Sequence, residues 1–218
     1  MTTALQKFES AMRQLPLVAI LRGLTPVEAA DIGDAVVQAG FCLLEVPLNS
    51  PQPLESIALL RRRFPDALVG AGTVLDVEQV RAVHAAGGEL VVSPNFDAAV
   101  IAETVRLGMV GLPGVLTPTE AFGALAAGAT GLKLFLAELA SPAVVKALLA
   151  VLPHGTALMP VGGISPDTMQ AWREAGAAGF GIGSALFKPG KAAVAVHADA
   201  ERFVAAWRAG QRARTRSP

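Results

Sequence analysis

Cysteine is almost absent from this 218-residue chain, which contains only Cys42. A single cysteine excludes a disulfide bond within the chain and is typical of proteins from a reducing compartment. The first eleven residues contain polar side chains throughout and lack the apolar core of a signal peptide. We therefore expect a cytoplasmic protein.

Net charge is also absent, because 18 Lys and Arg residues balance 18 Asp and Glu residues. The one basic run before the C-terminal tail, Arg61-Arg62-Arg63, is typical of a solvated helix end, so nothing indicates nucleic-acid binding. Residues 107–132 carry a single charge, but two prolines and six glycines interrupt them at the spacing of turns. This segment therefore predicts strand, helix and strand instead of a membrane span.

Glycine and proline are abundant, with 22 and 15 residues, in a chain that is 52% hydrophobic. This composition is typical of a large core with many tight turns. Five glycines follow helical patterns at the position where a left-handed residue ends a helix: Gly40, Gly87, Gly108, Gly128 and Gly176. Their spacing fits a repeating unit of about 20–24 residues, and eight such units fill the chain.

Nearly continuous apolar runs predict parallel strands that are covered on both faces. The predicted strands are 17–22, 42–48, 67–73, 90–95, 110–115, 131–135, 157–162 and 179–183. The rival architecture, a doubly wound open sheet, needs a G-x-G-x-x-G turn that the chain lacks after its first strand. We therefore predict a single-domain α/β protein over residues 1–218, a (β/α)8 TIM barrel.

The predicted barrel has an extra N-terminal helix at 1–15 and a frayed tail from about 210 to 218. In the extra helix Leu5, Phe8, Met12 and Leu15 share one face, which we expect to cover the barrel floor. At the other end, chemistry belongs where the strands run into the following loops. The candidate residues there are Arg22, Glu45, Thr73, Pro94, Lys133, Gly162, Gly163, Gly183 and Ser184.

Lys133 lies inside the apolar stretch ATGLKLFLAEL, although a buried lysine is rare unless it is paired. Because side chains alternate along a strand, an inward Lys133 leaves Leu132 and Leu134 facing the helices. Lys133 lies in the sixth predicted strand and Glu45 in the second. Alternate strands of a barrel contribute side chains to the same interior layer, so the two residues can lie close together. The two residues form either a structural ion pair or a nucleophile with an acid–base partner, since desolvation lowers the pKa of an amine and makes it nucleophilic.

Glycine-rich turns follow the last two predicted strands, in VGGIS and GIGS. This pair of loops is the usual phosphate site of such barrels, although either turn alone is also typical of tight packing. Arg22 has the guanidinium to bind a carboxylate or a phosphate, or to form a salt bridge at the rim. Thr73 follows Gly70-Ala71-Gly72, which indicates either space for a ligand or close packing. Phe135 has the parity of Lys133 and either lines a pocket or fills the barrel.

Seven segments resemble, in order and spacing, the class I 2-keto-3-deoxy-6-phosphosugar acid aldolases. They are AILRG, EVPLNSP, GAGTVL, PGVLTPTEAF, GLKLF, PVGGIS and GIGSALF, and the resemblance extends from about Leu15 to Phe187. It implies a (β/α)8 barrel that forms a homotrimer and needs no metal and no cofactor. The implied reaction cleaves a 6-phosphorylated 2-keto-3-deoxy sugar acid to pyruvate and glyceraldehyde 3-phosphate.

The resemblance also implies roles for residues at matching positions. Lys133 would form a Schiff base with C2 of the substrate, and Glu45 would be the general acid and base, working partly through water. Thr73 and Arg22 would hold the carboxylate end of the substrate. The implied pocket also includes Asn49, Pro94 and Phe135, and the implied phosphate ligands are Gly162, Gly163, Gly183 and Ser184.

Asn49 stands where gluconate-type members of the family have an arginine, so the chain resembles the 6-phosphogalactonate branch. Leu136 stands where a proline is common after LKLF, which indicates a different loop behind Lys133. The sequence leaves the gluconate epimer open as the substrate. It also leaves open a phosphosugar isomerase or epimerase on the same scaffold, and a non-catalytic barrel that binds a phosphometabolite and uses Lys133 and Glu45 only as a brace.

Overall fold

The computed structural model describes residues 2–214, with side chains up to Gln211. Its strands are β1 (Leu17–Ile20), β2 (Leu43–Pro47), β3 (Leu68–Gly72), β4 (Leu90–Val92), β5 (Val110–Leu112), β6 (Gly114–Val115), β7 (Leu132–Leu134), β8 (Leu158–Pro160) and β9 (Phe180–Ile182). Its helices are α1 (Ala4–Gln14), α2 (Ala29–Ala39), α3 (Pro53–Arg63), α4 (Val77–Ala85), α5 (Ala98–Arg106), α6 (Pro118–Ala126), α7 (Pro142–Leu149), α8 (Met169–Glu174) and α9 (Ala193–Arg214). A short 3-10 helix, Ala137–Leu139, lies between β7 and α7.

The strands pair in parallel and form two sheets. Six strands pair in the order β5-β4-β3-β2-β1-β9, and three pair in the order β6-β7-β8. One bridge between Val161 and Gly181 joins the end of β8 to β9, and only Pro113 separates β5 from β6. Parallel strands that alternate with helices confirm the predicted α/β fold.

Each predicted strand is present, but each is shorter than expected. Arg22 and Thr73 therefore lie in the loops just beyond β1 and β3. The predicted strand 110–115 is interrupted at Pro113, which lacks the N–H that a strand ladder needs. The five glycines predicted to end helices all have positive φ angles, between 69° and 116°.

Side-chain alternation divides the core into two layers. Leu44 and Leu132 lie on the outer faces of their strands and belong to the cluster that packs against the helices. Leu43, Leu68 and Leu90 lie on the inner faces and form a second cluster with α1. Both faces of the strands are therefore buried, as expected for parallel sheets.

Helix α1 packs against the inner cluster near the first residues of the strands. Thr3 begins it with a capping box to Gln6. Phe8 and Ala11 are buried in the inner cluster, and Met12 packs beside them. Leu5 is instead 50% exposed, because the buried face of the helix is centred on Phe8 and excludes it.

Helix α9 extends to Arg214, so residues 210–214 are helical where the sequence predicts a frayed tail. The rest of that predicted tail, 215–218, lies outside the described residues. Residues 107–132 contain β5, β6 and α6 and reach β7, which confirms the strand, helix and strand pattern. Among the described residues, no helix has both the length and the apolar composition that crossing a bilayer requires.

Candidate active site

Lys133 and Glu45 are both buried at the centre of their strands. Glu45 is the middle residue of β2 and Lys133 is the middle residue of β7. Their exposed fractions are 2% and 6%. Both line the same narrow cavity, while Leu132 and Leu134 belong to the cluster that packs against the helices. The inward orientation that alternation predicts for both side chains is therefore observed.

The two charged groups lie near each other without forming an ion pair. Each changes the pKa of the other, yet in the described part of the chain no Lys133 nitrogen lies within 4.0 Å of a Glu45 oxygen. Lys133 Nζ instead lies 4.3 Å from the centroid of the Phe135 ring. Glu45 Oε2 is buried and has no hydrogen-bond partner among the described residues. A structural brace needs a direct contact, so this geometry does not support one.

Burial determines the direction of both pKa shifts. Burial lowers the pKa of Lys133. The Glu45 carboxylate raises this pKa and the Arg22 charge lowers it, but both effects are smaller than that of burial. Burial raises the pKa of Glu45, against the opposing effects of Lys133 and Arg22. Desolvation thus favours the neutral form of both groups. A neutral amine is a nucleophile, and a carboxyl group whose pKa is raised can both accept and donate a proton.

The glycines of Gly70-Ala71-Gly72 make room for neighbouring protein atoms. A Cβ at Gly72 would lie 2.6 Å from Oε1 of Glu45, and a Cβ at Gly70 would lie 1.9 Å from the carbonyl oxygen of Leu90. The glycines of Gly70-Ala71-Gly72 therefore serve close packing between protein atoms. Gly72 allows the Glu45 carboxylate to lie against β3.

The cavity beside Lys133 and Glu45 has apolar walls. The inward-facing residues that form them are Val18, Ile20, Val92, Leu112, Met159, Val161 and Gly181. Such walls offer few partners for water, which strengthens the desolvation that shifts both pKa values.

Thr73 has a strained backbone conformation, with φ at 57°. This left-handed region is unfavourable for a β-branched residue and persists only where the surrounding structure holds it. The next residue, Val74, donates its N–H to the carbonyl of Val92 at the end of β4, which fixes the loop after β3. Strain of this kind is found most often at functional sites.

We expect Thr73→Gly to stabilise the protein by about 1 kcal/mol, because glycine removes most of the strain at a positive φ. The same change should lower the catalytic efficiency, since it removes a side chain that is predicted to hold the carboxylate end of the substrate. Gln52→Gly is a matched control, because Gln52 also has a positive φ, 43°, but has no predicted catalytic role. Chemical denaturation and steady-state kinetics measure the two effects. A destabilised or fully active Thr73→Gly variant would contradict this assignment.

Arg22 and Phe135 lie close to the Lys133–Glu45 pair. Arg22 is exposed two residues beyond β1, and its charge lowers the pKa of both Lys133 and Glu45. Phe135 is half-buried one residue beyond β7, with its ring against the Lys133 ammonium. The ring therefore contacts the Lys133 side chain, and its predicted role as a pocket wall remains a prediction.

Asn49 and Pro94 follow β2 and β4 at the same end of the sheet. Asn49 is exposed and makes no hydrogen bond in the described part of the chain. Pro94 is half-buried, and its carbonyl oxygen lies 2.2 Å from the position of a Cβ at Gly114. Neither residue hydrogen-bonds to Lys133 or Glu45, so their predicted contacts with substrate remain predictions.

The predicted phosphate turns lie side by side. The bridge between Val161 and Gly181 joins the segments from which the two turns begin. Within the described residues, five backbone N–H groups of these turns donate no hydrogen bond: those of Gly163, Ile164, Gly183, Ser184 and Ala185. Unpaired N–H groups from two adjacent turns form a cradle that suits an anion. We call these two turns, 162–164 and 183–185, the anion cradle.

Two residues near the site were not identified from the sequence. Ser50 is buried, and its Oγ accepts the N–H of Gly23 at 2.9 Å, which ties the loop after β1 to the loop after β2. Glu138, in the 3-10 helix after β7, has its carboxylate against Gly162 of the anion cradle. Each contact joins separate loops, so no local pattern indicates it. Their only signal is a polar residue soon after a predicted strand.

Comparison with known proteins gives one consistent result. The family model described as KDPG and KHG aldolase matches residues 8–200. The 2-dehydro-3-deoxy-6-phosphogalactonate aldolase of Escherichia coli (strain K12) is 47% identical over 196 residues, which cover 89% of this chain and 96% of that protein. The 2-dehydro-3-deoxy-phosphogluconate aldolase of Treponema pallidum (strain Nichols) is 35% identical over 153 residues, 70% of this chain and 71% of that protein. A solved structure described as native KDPGal has a TM-score of 0.90 at 46% identity and covers 91% of this chain and 97% of that one.

Proposed function

This chain belongs to the KDPG and KHG aldolase family, and we propose that it is a class I aldolase, a carbon–carbon lyase. Its proposed substrate is 2-dehydro-3-deoxy-6-phosphogalactonate, and its products are pyruvate and D-glyceraldehyde 3-phosphate. The observation that carries the proposal is the buried Lys133 amine, which has no ion-pair partner in the described structure and lies beside Glu45.

Lys133 is the nucleophile in this proposal. Its neutral amine attacks C2 of the substrate, and the resulting carbinolamine loses water to give a protonated Schiff base. The positive nitrogen then accepts the electron pair of the C3–C4 bond when that bond breaks. Burial supports this role, because it lowers the pKa of Lys133 and increases the neutral fraction of the amine.

Glu45 moves the protons. As a carboxylate it takes the proton of the C4 hydroxyl, so that C4 leaves as the aldehyde carbon of glyceraldehyde 3-phosphate. The remaining enamine is protonated at C3, and hydrolysis of the pyruvate Schiff base regenerates the Lys133 amine. Because burial raises its pKa, Glu45 can act as a base in one step and as an acid in the next.

The carboxylate end of the substrate belongs beside Arg22, Thr73 and Asn49. The charge of Arg22 already acts on Lys133 and Glu45, which supports a position near the pyruvate portion of the substrate. Phe135 and Pro94 complete the walls of this end. We assign Arg22 to the substrate carboxylate and leave the phosphate to the anion cradle.

Glycine at position 183 supports phosphate binding, because nothing else in the structure requires a glycine there. Its φ is not positive, and a Cβ built there would meet no atom within 4 Å, so neither conformation nor packing requires glycine. A ligand that approaches the backbone closely would require it. The same turn contains Ser184, whose exposed hydroxyl can also donate to a phosphate oxygen.

We expect Gly183→Ala to leave stability unchanged and to raise KM for the phosphorylated substrate by about tenfold or more, as expected when about 1.4 kcal/mol of ligand contacts is lost. Gly111→Ala is the control, because its Cβ would make only an ordinary contact of 3.4 Å with Thr104 and lies away from the cradle. Steady-state kinetics measure KM, and thermal unfolding measures stability. An unchanged KM in Gly183→Ala would contradict the placement of the phosphate.

The galactonate stereochemistry is proposed on two grounds. The galactonate-named relative is 47% identical and the gluconate-named one 35% identical. In addition, Asn49 lacks the charge of the arginine that gluconate-type members carry there. Kinetics on the two C4 epimers, with pyruvate release as the readout, test this choice. A higher kcat/KM for the gluconate epimer would overturn it.

We also propose that the two sheets form one closed (β/α)8 barrel in a single domain. The bridge between Val161 and Gly181 and the one-residue gap at Pro113 support closure at both junctions. The homotrimer, the absence of a cofactor and the cytoplasmic location remain predictions. Sedimentation equilibrium tests the first of them.

A further inference from the structure

An anionic side chain, that of Glu138, lies against the first turn of the anion cradle. A Cβ at Gly162 would lie 1.9 Å from Oε2 and 2.9 Å from Oε1 of Glu138, and a Cβ at Gly163 would lie 3.0 Å from Cγ of the same residue. The Glu138 carboxylate therefore rests on the turn that the proposed function assigns to phosphate. The two anions cannot share this place, because like charges at contact distance repel each other.

A backbone hydrogen bond fixes the 3-10 helix that contains Glu138, but no hydrogen bond in the described structure fixes the Glu138 side chain. The N–H of Ala137 donates to the carbonyl of Val161 at 3.0 Å, which ties the 3-10 helix to the end of β8. The Glu138 side chain is exposed, and it makes no hydrogen bond or ion pair within the described part of the chain. Rotation about its side-chain bonds can therefore remove the carboxylate from the cradle without unfolding the loop.

We propose that Glu138 is a specificity residue that competes, within the molecule, for the anion cradle. Its carboxylate is an internal anion that an incoming phosphate group must displace. This inference rests on the proposed phosphate role of the cradle. The apparent affinity for a ligand falls in proportion to the fraction of molecules whose site is already open. A phosphate dianion with several acceptor oxygens can displace the carboxylate, whereas a ligand with a neutral end cannot.

Two substitutions test this inference, with inorganic phosphate as the probe. Glu138→Gln keeps the shape and removes the charge, and Glu138→Ala removes both. We expect each variant to bind phosphate about tenfold more tightly than the wild type in calorimetry, because about 1.4 kcal/mol of relieved repulsion corresponds to one decade in Kd. KM for the phosphorylated substrate should fall with Kd, while kcat rises in neither variant.

Asp167→Asn is the matched control. Asp167 is exposed in the segment that follows Gly163, so its substitution removes the same charge from the same region. Its side chain is not among the atoms against Gly162 or Gly163. We expect this variant to keep the phosphate Kd of the wild type to within about twofold, because an exposed charge that makes no contact is screened by water and salt.

Unchanged or weaker phosphate binding in Glu138→Gln or Glu138→Ala would overturn the inference, as would an equal gain in Asp167→Asn. Covalent trapping of pyruvate on Lys133 distinguishes these outcomes from a failure of the proposed function, because trapping does not involve the anion cradle. A wild type that traps pyruvate while the Glu138 variants gain no affinity refutes only the competition. A wild type that neither traps pyruvate nor binds phosphate refutes the proposed function itself.

Discussion

Lys133→Met should lower kcat by roughly 10⁵-fold or more, the scale of loss seen when a catalytic nucleophile is removed. Methionine has about the length of lysine and fits an apolar cavity, but it cannot attack a carbonyl carbon. Because Lys133 makes no ion pair in the described structure, its removal breaks no direct contact of that kind. The variant should therefore remain folded while its cleavage activity falls by that factor. Circular dichroism and pyruvate release measure the two properties.

The stability of this variant should also differ in its pH dependence. The pKa of Lys133 is lowered in the folded state from its ordinary value of 10.5. Between these two values the unfolded chain binds more protons than the folded one, so the wild type gains stability as the pH rises. Lys133→Met lacks this gain. Lys146→Met, which replaces an exposed lysine of α7, should keep both the activity and the gain. A Lys133→Met variant that cleaves the substrate at a rate near that of the wild type would contradict the assignment of the nucleophile.

Glu45→Gln should lower kcat by about 10²- to 10⁴-fold, the usual contribution of a general acid–base group. The loss should be smaller than that of Lys133→Met, because the amine still forms the Schiff base while proton transfer to and from the C4 oxygen and C3 is slowed. Single-turnover kinetics separate these steps. The exposed Glu9 of α1 provides the control, and Glu9→Gln should leave kcat unchanged.

The pKa shift of Glu45 predicts a second result. Its pKa is raised in the folded state above the ordinary value of 4.5, so the folded chain binds more protons between the two values. The unfolding free energy of the wild type therefore falls as the pH rises through this range. Glu45→Gln cannot ionise and should lack this decrease. Equal pH dependence in the two proteins, or full activity of the variant, would contradict the role of Glu45.

Alternation of side chains is the part of this site that could be predicted from the sequence. Apolar runs around Glu45 and Lys133 indicate strands covered on both faces, and a period of two then places both residues inside. The glycine-ended helices are also local signals, because a positive φ selects glycine. The parallel α/β architecture follows from such patterns.

Other features depend on contacts between distant segments and could not be predicted in this way. The separation of Lys133 from Glu45 is set by how the strands of two sheets approach each other. The space that Gly72 provides for Glu45 and the position of Glu138 on Gly162 each require the folded structure. The positive φ of Thr73 contradicts its local preference, and tertiary contacts impose it.

Borohydride trapping with pyruvate is the most direct test of the central claim that Lys133 forms a Schiff base. Pyruvate and the Lys133 amine condense with loss of water, and hydride addition to the imine carbon makes the bond permanent. We predict that mass spectrometry will find one reduced pyruvate-derived group per chain, on the peptide that contains Lys133, and none on Lys133→Met. Absence of an adduct on the wild type, or an adduct on another lysine, would contradict the account.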